Sequence, residues 1–204
     1  MLRGSRVWTT IRATQLSTLN TQHSAVLPRE NIVLTGFMGS GKSAVGRLVA
    51  KRLRFQFVDT DQLIVKRAGA PISEIFAKHG EEYFRDLETA ELESLEHLRQ
   101  CVIATGGGVI VKERNHAILA RLGFVVWLTA SEDTIFNRVA RNDKRPLLQT
   151  EDPRATIREM LAARRPLYEK AAQFTLDTTT FSHGEAADKV IAAARSAFAW
   201  ETDS

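Results

Sequence analysis

Cysteine occurs once in this chain, at Cys101. No disulfide can form within it, so stability has to come from a buried core. A lone thiol also suits a reducing compartment. Nowhere does an apolar run approach the roughly 20 residues that a membrane-spanning helix needs. The five histidines (His23, His79, His97, His116 and His183) are scattered without metal-ligand spacing, which argues against a histidine-built metal centre. Acidic residues are missing before Glu30, whereas Arg3, Arg6, Arg12 and Arg29 all fall there. Counted with Glu30, the first thirty residues carry about +3 of the formal +4 and leave the remainder nearly neutral, so a nucleic-acid surface is not expected.

Residues 1–29 are rich in Ser, Thr and Arg and show no sustained apolar periodicity. They read as a disordered N-terminal extension, with an organellar transit peptide as the alternative. Residues 30–204 are long enough for one α/β domain. Strand candidates are Asn31–Thr35, Gln56–Asp59, Cys101–Thr105, Phe124–Leu128 and Phe174–Leu176, mostly short and β-branched. Helical patterns separate them: Ala44–Leu53, Glu74–His79 with Ser73 as N-cap and Gly80 closing the turn, Glu81–Arg99, Glu132–Ala140 capped by Ser131, Arg154–Ala172 and Glu185–Trp200. Such alternation predicts a three-layer α/β sandwich around a five-stranded parallel sheet, with ligands at the carboxyl ends of the strands.

The first strand leads into Gly36-Phe-Met-Gly39-Ser40-Gly41-Lys42-Ser43-Ala44. This is a G-x-x-x-x-G-K-S phosphate loop in its required setting, with a strand before and a helix after. Glycines let the backbone turn its N–H groups onto a phosphate chain, and the helix N-terminus adds partial positive charge there. Lys42 can reach the outer phosphates, and the Ser43 hydroxyl can bind Mg²⁺. A nucleoside triphosphate is therefore the expected ligand, with Mg²⁺ as its companion.

Other unusual features follow the strands. Asp59-Thr-Asp61 closes the second, and two carboxylates there could divide metal binding from proton abstraction, or Asp61 could simply cap a helix starting near Gln62. Gly106-Gly107-Gly108 closes the third, which suits a ligand lying on the backbone or a flexible turn. Phe84-Arg85-Asp-Leu-Glu88 lies within an amphipathic pattern, where Arg85 alone reads as a surface residue. In Arg164-Arg165-Pro166-Leu-Tyr168 the proline interrupts a helical pattern, and a kink there would turn an arginine inward. The polar stretch from Arg141 to Pro153, containing Arg145-Pro-Leu-Leu, reads as a lid over nucleotide or as a solvated connection.

Taken in order, G-F-M-G-S-G-K-S, D-T-D, F-R-D-L-E, G-G-G, R-P-L-L and R-R-P-L-Y resemble the shikimate kinase family over about residues 31–199. The resemblance implies a nucleoside-monophosphate-kinase-like P-loop fold with a closing lid. It also implies transfer of the γ-phosphate of ATP to the 3-hydroxyl of shikimate. By the same likeness Gly36 to Ala44 would hold the ATP phosphates, and Ser43, with Asp59 through water, would hold Mg²⁺. Asp61 would bind the shikimate hydroxyls and could act as base. Arg85 and Arg164 would clamp the shikimate carboxylate, with Glu88 orienting Arg85, and Gly106, Gly107 and Gly108 would meet the ring hydroxyls. Arg145 would swing onto the moving phosphate and Arg141 would lie on the adenine face, with further adenine contacts near Asp177. The rival reading is another small-molecule kinase of this fold, such as gluconate kinase. A monomer is expected, in the cytoplasm, or in a plastid or other organelle if residues 1–29 are a transit peptide.

Overall fold

The computed structural model describes residues 30–140 and 151–200. The expected N-terminal extension, Arg141, Arg145 and the body of the expected lid lie outside the described residues. Five parallel strands, β1 (Ile32–Thr35), β2 (Gln56–Asp59), β3 (Cys101–Ala104), β4 (Phe124–Thr129) and β5 (Phe174–Asp177), form one sheet in the order β2-β3-β1-β4-β5. Around it run α1 (Lys42–Leu53), α2 (Thr60–Ala68), α3 (Ile72–Ser94), α4 (Arg114–Leu122), α5 (Glu132–Val139), α6 (Pro153–Ala171) and α7 (His183–Phe198). The fold is the three-layer P-loop α/β sandwich that the alternating pattern predicts.

The period of two along each strand decides the layers. Ile32 and Leu34 of β1 face α1 and α7, joined by Val102, Val126 and Leu128. Val33 faces the opposite way, with Ile103, Val125 and Trp127, onto α3, α4 and α6. Both faces are therefore apolar, and the strands read as unbroken hydrophobic runs rather than alternating ones. Strand order reverses at β1, whose neighbours β3 and β4 lead their chains to opposite sides. A crevice opens there, above the carboxyl ends.

At the opposite edge Asn31, fully buried, ties the sheet to its helices. Its Nδ2 donates to the carbonyls of Leu98 and Leu122 at 3.0 and 2.9 Å, and its Oδ1 accepts the Cys101 N–H at 3.0 Å. Nearby Trp200 donates its indole N–H to Glu30 at 3.1 Å, joining the two ends of the described domain.

Several boundaries depart from expectation. Helix α3 begins at Ile72 behind Pro71, not behind a Ser73 cap, because proline supplies a fixed φ and needs no N–H there. The helix is kinked at Gly80, whose φ of 81° closes its first half as the sequence predicts. It ends at Ser94 rather than Arg99, since the Leu98 carbonyl turns to Asn31. Asp59, not Asp61, caps α2, accepting the Gln62 N–H at 3.4 Å. Helix α6 passes unbroken through Pro166; Arg164 faces inward because it shares a stripe with Ile157 and Tyr168, at the helical period. Helix α4 was assigned no span in the sequence, and no side chain caps its start.

Asn31→Ala takes away the side-chain partner of the Leu122 carbonyl and of the Cys101 N–H, and leaves the Leu98 carbonyl with Arg99 alone. We expect a loss of about 3 kcal/mol in urea denaturation; wild-type stability would show that Asn31 is not the tie described.

Candidate active site

Three of the phosphate-loop glycines are required by backbone geometry. Gly36, Gly39 and Gly41 have φ of 141°, 80° and 97°, where a β-carbon is strained. At Gly36 a side chain would also meet the Leu128 carbonyl oxygen at 2.2 Å. The loop wraps over the first turn of α1, and Lys42 lies back across it, its Nζ donating to the carbonyls of Gly36 and Phe37 at 2.8 and 3.0 Å. Its outer wall is pinned from the far strand. Thr178, just past β5, donates its hydroxyl to the Ser40 carbonyl at 3.2 Å, and Arg138 of α5 reaches both the Gly39 carbonyl (3.2 Å) and the Thr178 carbonyl (3.3 Å).

One residue along α1, the Ser43 hydroxyl donates to the Asp59 carboxylate at 2.9 Å. These two oxygen ligands sit at the mouth of the loop, where β1 and β2 end. No group of three or more His, Cys, Asp or Glu suited to a metal exists among the described residues. The donor set therefore suits Mg²⁺, which takes one or two protein oxygens and completes its shell with water and substrate phosphates.

Across the cleft stands a cluster of buried charged side chains. Arg85, 5% exposed, donates to the Glu88 carboxylate at 2.6 Å and, through two nitrogens, to Glu81 at 2.6 and 3.1 Å. Burial disfavours the guanidinium charge, but Glu88 and then Glu81 outweigh it, and the pKa of Arg85 stays above its ordinary value. Glu88 is buried too, and desolvation pushes its carboxyl up to about 7 despite the charge and hydrogen bond of Arg85. One of its oxygens, Oε1, has no hydrogen-bond partner.

The glycine triplet explains itself here. A β-carbon on Gly108 would lie 1.8 Å from Arg85 Nη1, and one on Gly106 would lie 2.5 Å from Glu88 and 2.6 Å from Asp61. Only glycine lets the backbone pass beneath these three charged groups. Thr60 accepts the Gly106 N–H at 3.1 Å, and Arg164 of α6 donates to the Gly107 carbonyl at 3.3 Å.

Together these residues line one cleft of about 620 Å³, walled on one side by Ile72, Phe76 and Phe84. Lys42, Ser43, Asp59 and Asp61 line it, as do Arg85, Gly106, Gly107, Gly108 and Arg164. One end offers backbone amides and a lysine for phosphates. The other offers two buried arginines beside two carboxylates, a place for a small hydroxy acid.

A family model described as shikimate kinase matches residues 38–195. The chain belongs to the shikimate kinase family. A shikimate kinase of Thermodesulfovibrio yellowstonii is 49% identical over 162 residues, 79% of this chain and 93% of that protein. One from Caldanaerobacter subterraneus is 46% identical over 80% of this chain and 95% of its own length. Among solved structures, the shikimate kinase from Acinetobacter baumannii in complex with shikimate superposes with a TM-score of 0.80 at 38% identity, covering 83% of this chain and 95% of that one. A gluconokinase from Sinorhizobium meliloti reaches 0.54 at 17% identity, a likeness of fold alone.

Within this shikimate kinase fold, sequence reasoning missed Glu81, Thr60, Arg138 and His183. Glu81 carried a signal, four residues before Arg85 on one helix. Arg138, three residues before the Arg141 assigned to the adenine face, lines the described cleft together with Arg85 and Arg164. His183 also lines it, beside Gly41.

Glu88 links the site to pH. Its proton leaves near 4.5 when the group is in its ordinary state and near 7 in the folded protein. Between those values the folded chain holds more protons, so its stability falls as pH rises through the window. Glu88→Gln is neutral throughout. Between about pH 5 and about pH 8, urea denaturation should shift in favour of the variant relative to the wild type. An equal difference at both ends would mean that Glu88 is ionised throughout.

Proposed function

We propose that this chain transfers the γ-phosphoryl group of ATP to the 3-hydroxyl of shikimate, giving shikimate 3-phosphate and ADP. The observation that carries the reading is the buried pair Arg85 and Arg164 converging across the glycine triplet, opposite the phosphate loop. Phosphoryl transfer asks a protein mainly for alignment and for positive charge around the moving group. Gly36 to Ala44 and the N-terminus of α1 hold the triphosphate, and Lys42 turns from the loop carbonyls to its outer oxygens. Ser43, and Asp59 through water, would hold Mg²⁺, which would supply charge neutralisation at the phosphates.

Arg85 and Arg164 hold the acceptor carboxylate. A planar guanidinium grips a carboxylate by two parallel hydrogen bonds, which fixes orientation as well as charge. Glu81 and Glu88 aim Arg85 from behind. Asp61, over Gly106, takes the acceptor hydroxyl and directs it at the phosphate, and the N–H groups of the triplet meet the ring hydroxyls. Arg145 closes on the transferring group and Arg141 covers the adenine; Arg138 and His183 shape the nucleotide end. The reading includes a monomer in the cytoplasm, or in a plastid or other organelle if residues 1–29 are a transit peptide, with neither nucleic acid nor membrane as partner. Among the described residues no helix is long and apolar enough to cross a membrane.

ADP release from Mg-ATP with shikimate, gluconate, AMP and CMP offered separately tests the reading. Turnover with shikimate alone is expected; turnover with gluconate alone would reassign the acceptor. Arg85→Ala and Arg164→Ala should each lose about 2–5 kcal/mol of acceptor interaction. That loss appears as a raised KM for shikimate with little change for ATP, and equal losses for both substrates would contradict the clamp. Lys42→Ala should collapse kcat, and a near-normal kcat would remove Lys42 from the transfer step.

A further inference from the structure

Tyr168 is among the largest fully buried side chains, and the chemistry above leaves its hydroxyl without a task. It stands one turn beyond Arg164 on α6. Its Oη donates to the Gly107 carbonyl at 2.6 Å, the same oxygen that accepts from Arg164 at 3.3 Å. The ring stacks on Trp127 of β4, with centroids 5.6 Å apart and planes 11° from parallel, so the hydroxyl cannot swing away without opening the core. Burial raises its pKa, with Arg164 pulling the other way, and the group remains a donor.

The glycine it holds touches the other half of the site. A β-carbon on Gly107 would lie 3.2 Å from the Met38 nitrogen and 3.4 Å from the Gly36 oxygen, both in the phosphate loop. The Arg164 guanidinium lies over the ring of Phe37, in that same loop, at 5.7 Å. From the far side Thr60 holds the Gly106 N–H. The Gly106-Gly107 segment is thus gripped at both ends and wedged between the acceptor clamp and the phosphate loop.

We infer that Tyr168, acting with Thr60 on this segment, is a positioning residue that sets the separation between the acceptor and the nucleotide. It touches neither substrate. It acts through Gly107, whose displacement would move the ring-facing amides and Arg164 together relative to the γ-phosphate. A small misplacement of that kind weakens transfer more than binding.

The inference rests on the acceptor assignment of the preceding subsection, which wild-type turnover of shikimate tests by itself; the variant-to-wild-type ratio then tests the tyrosine. Tyr168→Phe keeps the ring and its stacking and removes only the hydroxyl. Its kcat should fall about tenfold. The KM for shikimate should rise about twofold or less, the KM for ATP should stay constant, and the thermal midpoint should move by only a few degrees. Thr60→Val, isosteric at a buried position of α2, loosens the other end and should give the same signature. Wild-type kcat in Tyr168→Phe would overturn the inference, as would equal rises in both KM values at unchanged kcat. If Tyr168→Phe failed to fold, a wild-type kcat in Thr60→Val would overturn it alone.

Discussion

Arg85 is a guanidinium shut almost wholly away from water, and much of the acceptor side follows from that one charge. Removing an ion from water carries a penalty of several kcal/mol even after relaxation. Two carboxylates on the same helix answer it, Glu88 one turn ahead and Glu81 one turn behind. Glu88 is then itself buried, and its carboxyl rises toward neutrality. The β3 loop must pass over this cluster at a distance that admits no side chain, which is why glycine stands at 106 and 108. Burying that charge yields a guanidinium held in one orientation at the wall of the cleft.

The nucleotide side obeys a different constraint, set by topology. Strand β1 lies where the order reverses, so its carboxyl end opens into a crevice between β3 and β4. The phosphate loop and α1 grow from that end, and Asp59 at the end of β2, Asp61 in the first turn of α2 and the glycines after β3 come up beside them because the strands are parallel and in register. Cross-braces then stiffen the assembly, from Thr178 and Arg138 on one flank and from Gly107 on the other. The phosphate loop and the glycine triplet are therefore braced from both flanks.

The parts legible in the sequence are those with local signals. Buried parallel strands announce themselves as short β-branched runs, and the phosphate loop has a fixed spacing tied to its flanking elements. Ser131 was readable as a cap because its hydroxyl bonds only three residues on. Arg85 was not legible as buried, since a charged residue on an amphipathic helix looks solvated until another element docks on it. Thr60 and Tyr168 were silent for a related reason: their hydroxyls bond backbone 46 and 61 residues away, and no local pattern records such a partner. Pro166 misled, because a helix already held on both sides by packing tolerates one missing hydrogen bond. The cap of α2 fell to Asp59 rather than Asp61 because the helix starts directly from the strand end.

The bond between Trp200 and Glu30 has a bearing on how this domain can be handled. It brings the first and last described residues together at the foot of the sheet, while the cleft opens at the head. A polypeptide attached at either point joins the domain on the side away from the cleft. Closely spaced ends also permit the chain to be closed there by a short linker and opened elsewhere. The sheet order would survive such a permutation, since no strand pairing depends on which end comes first.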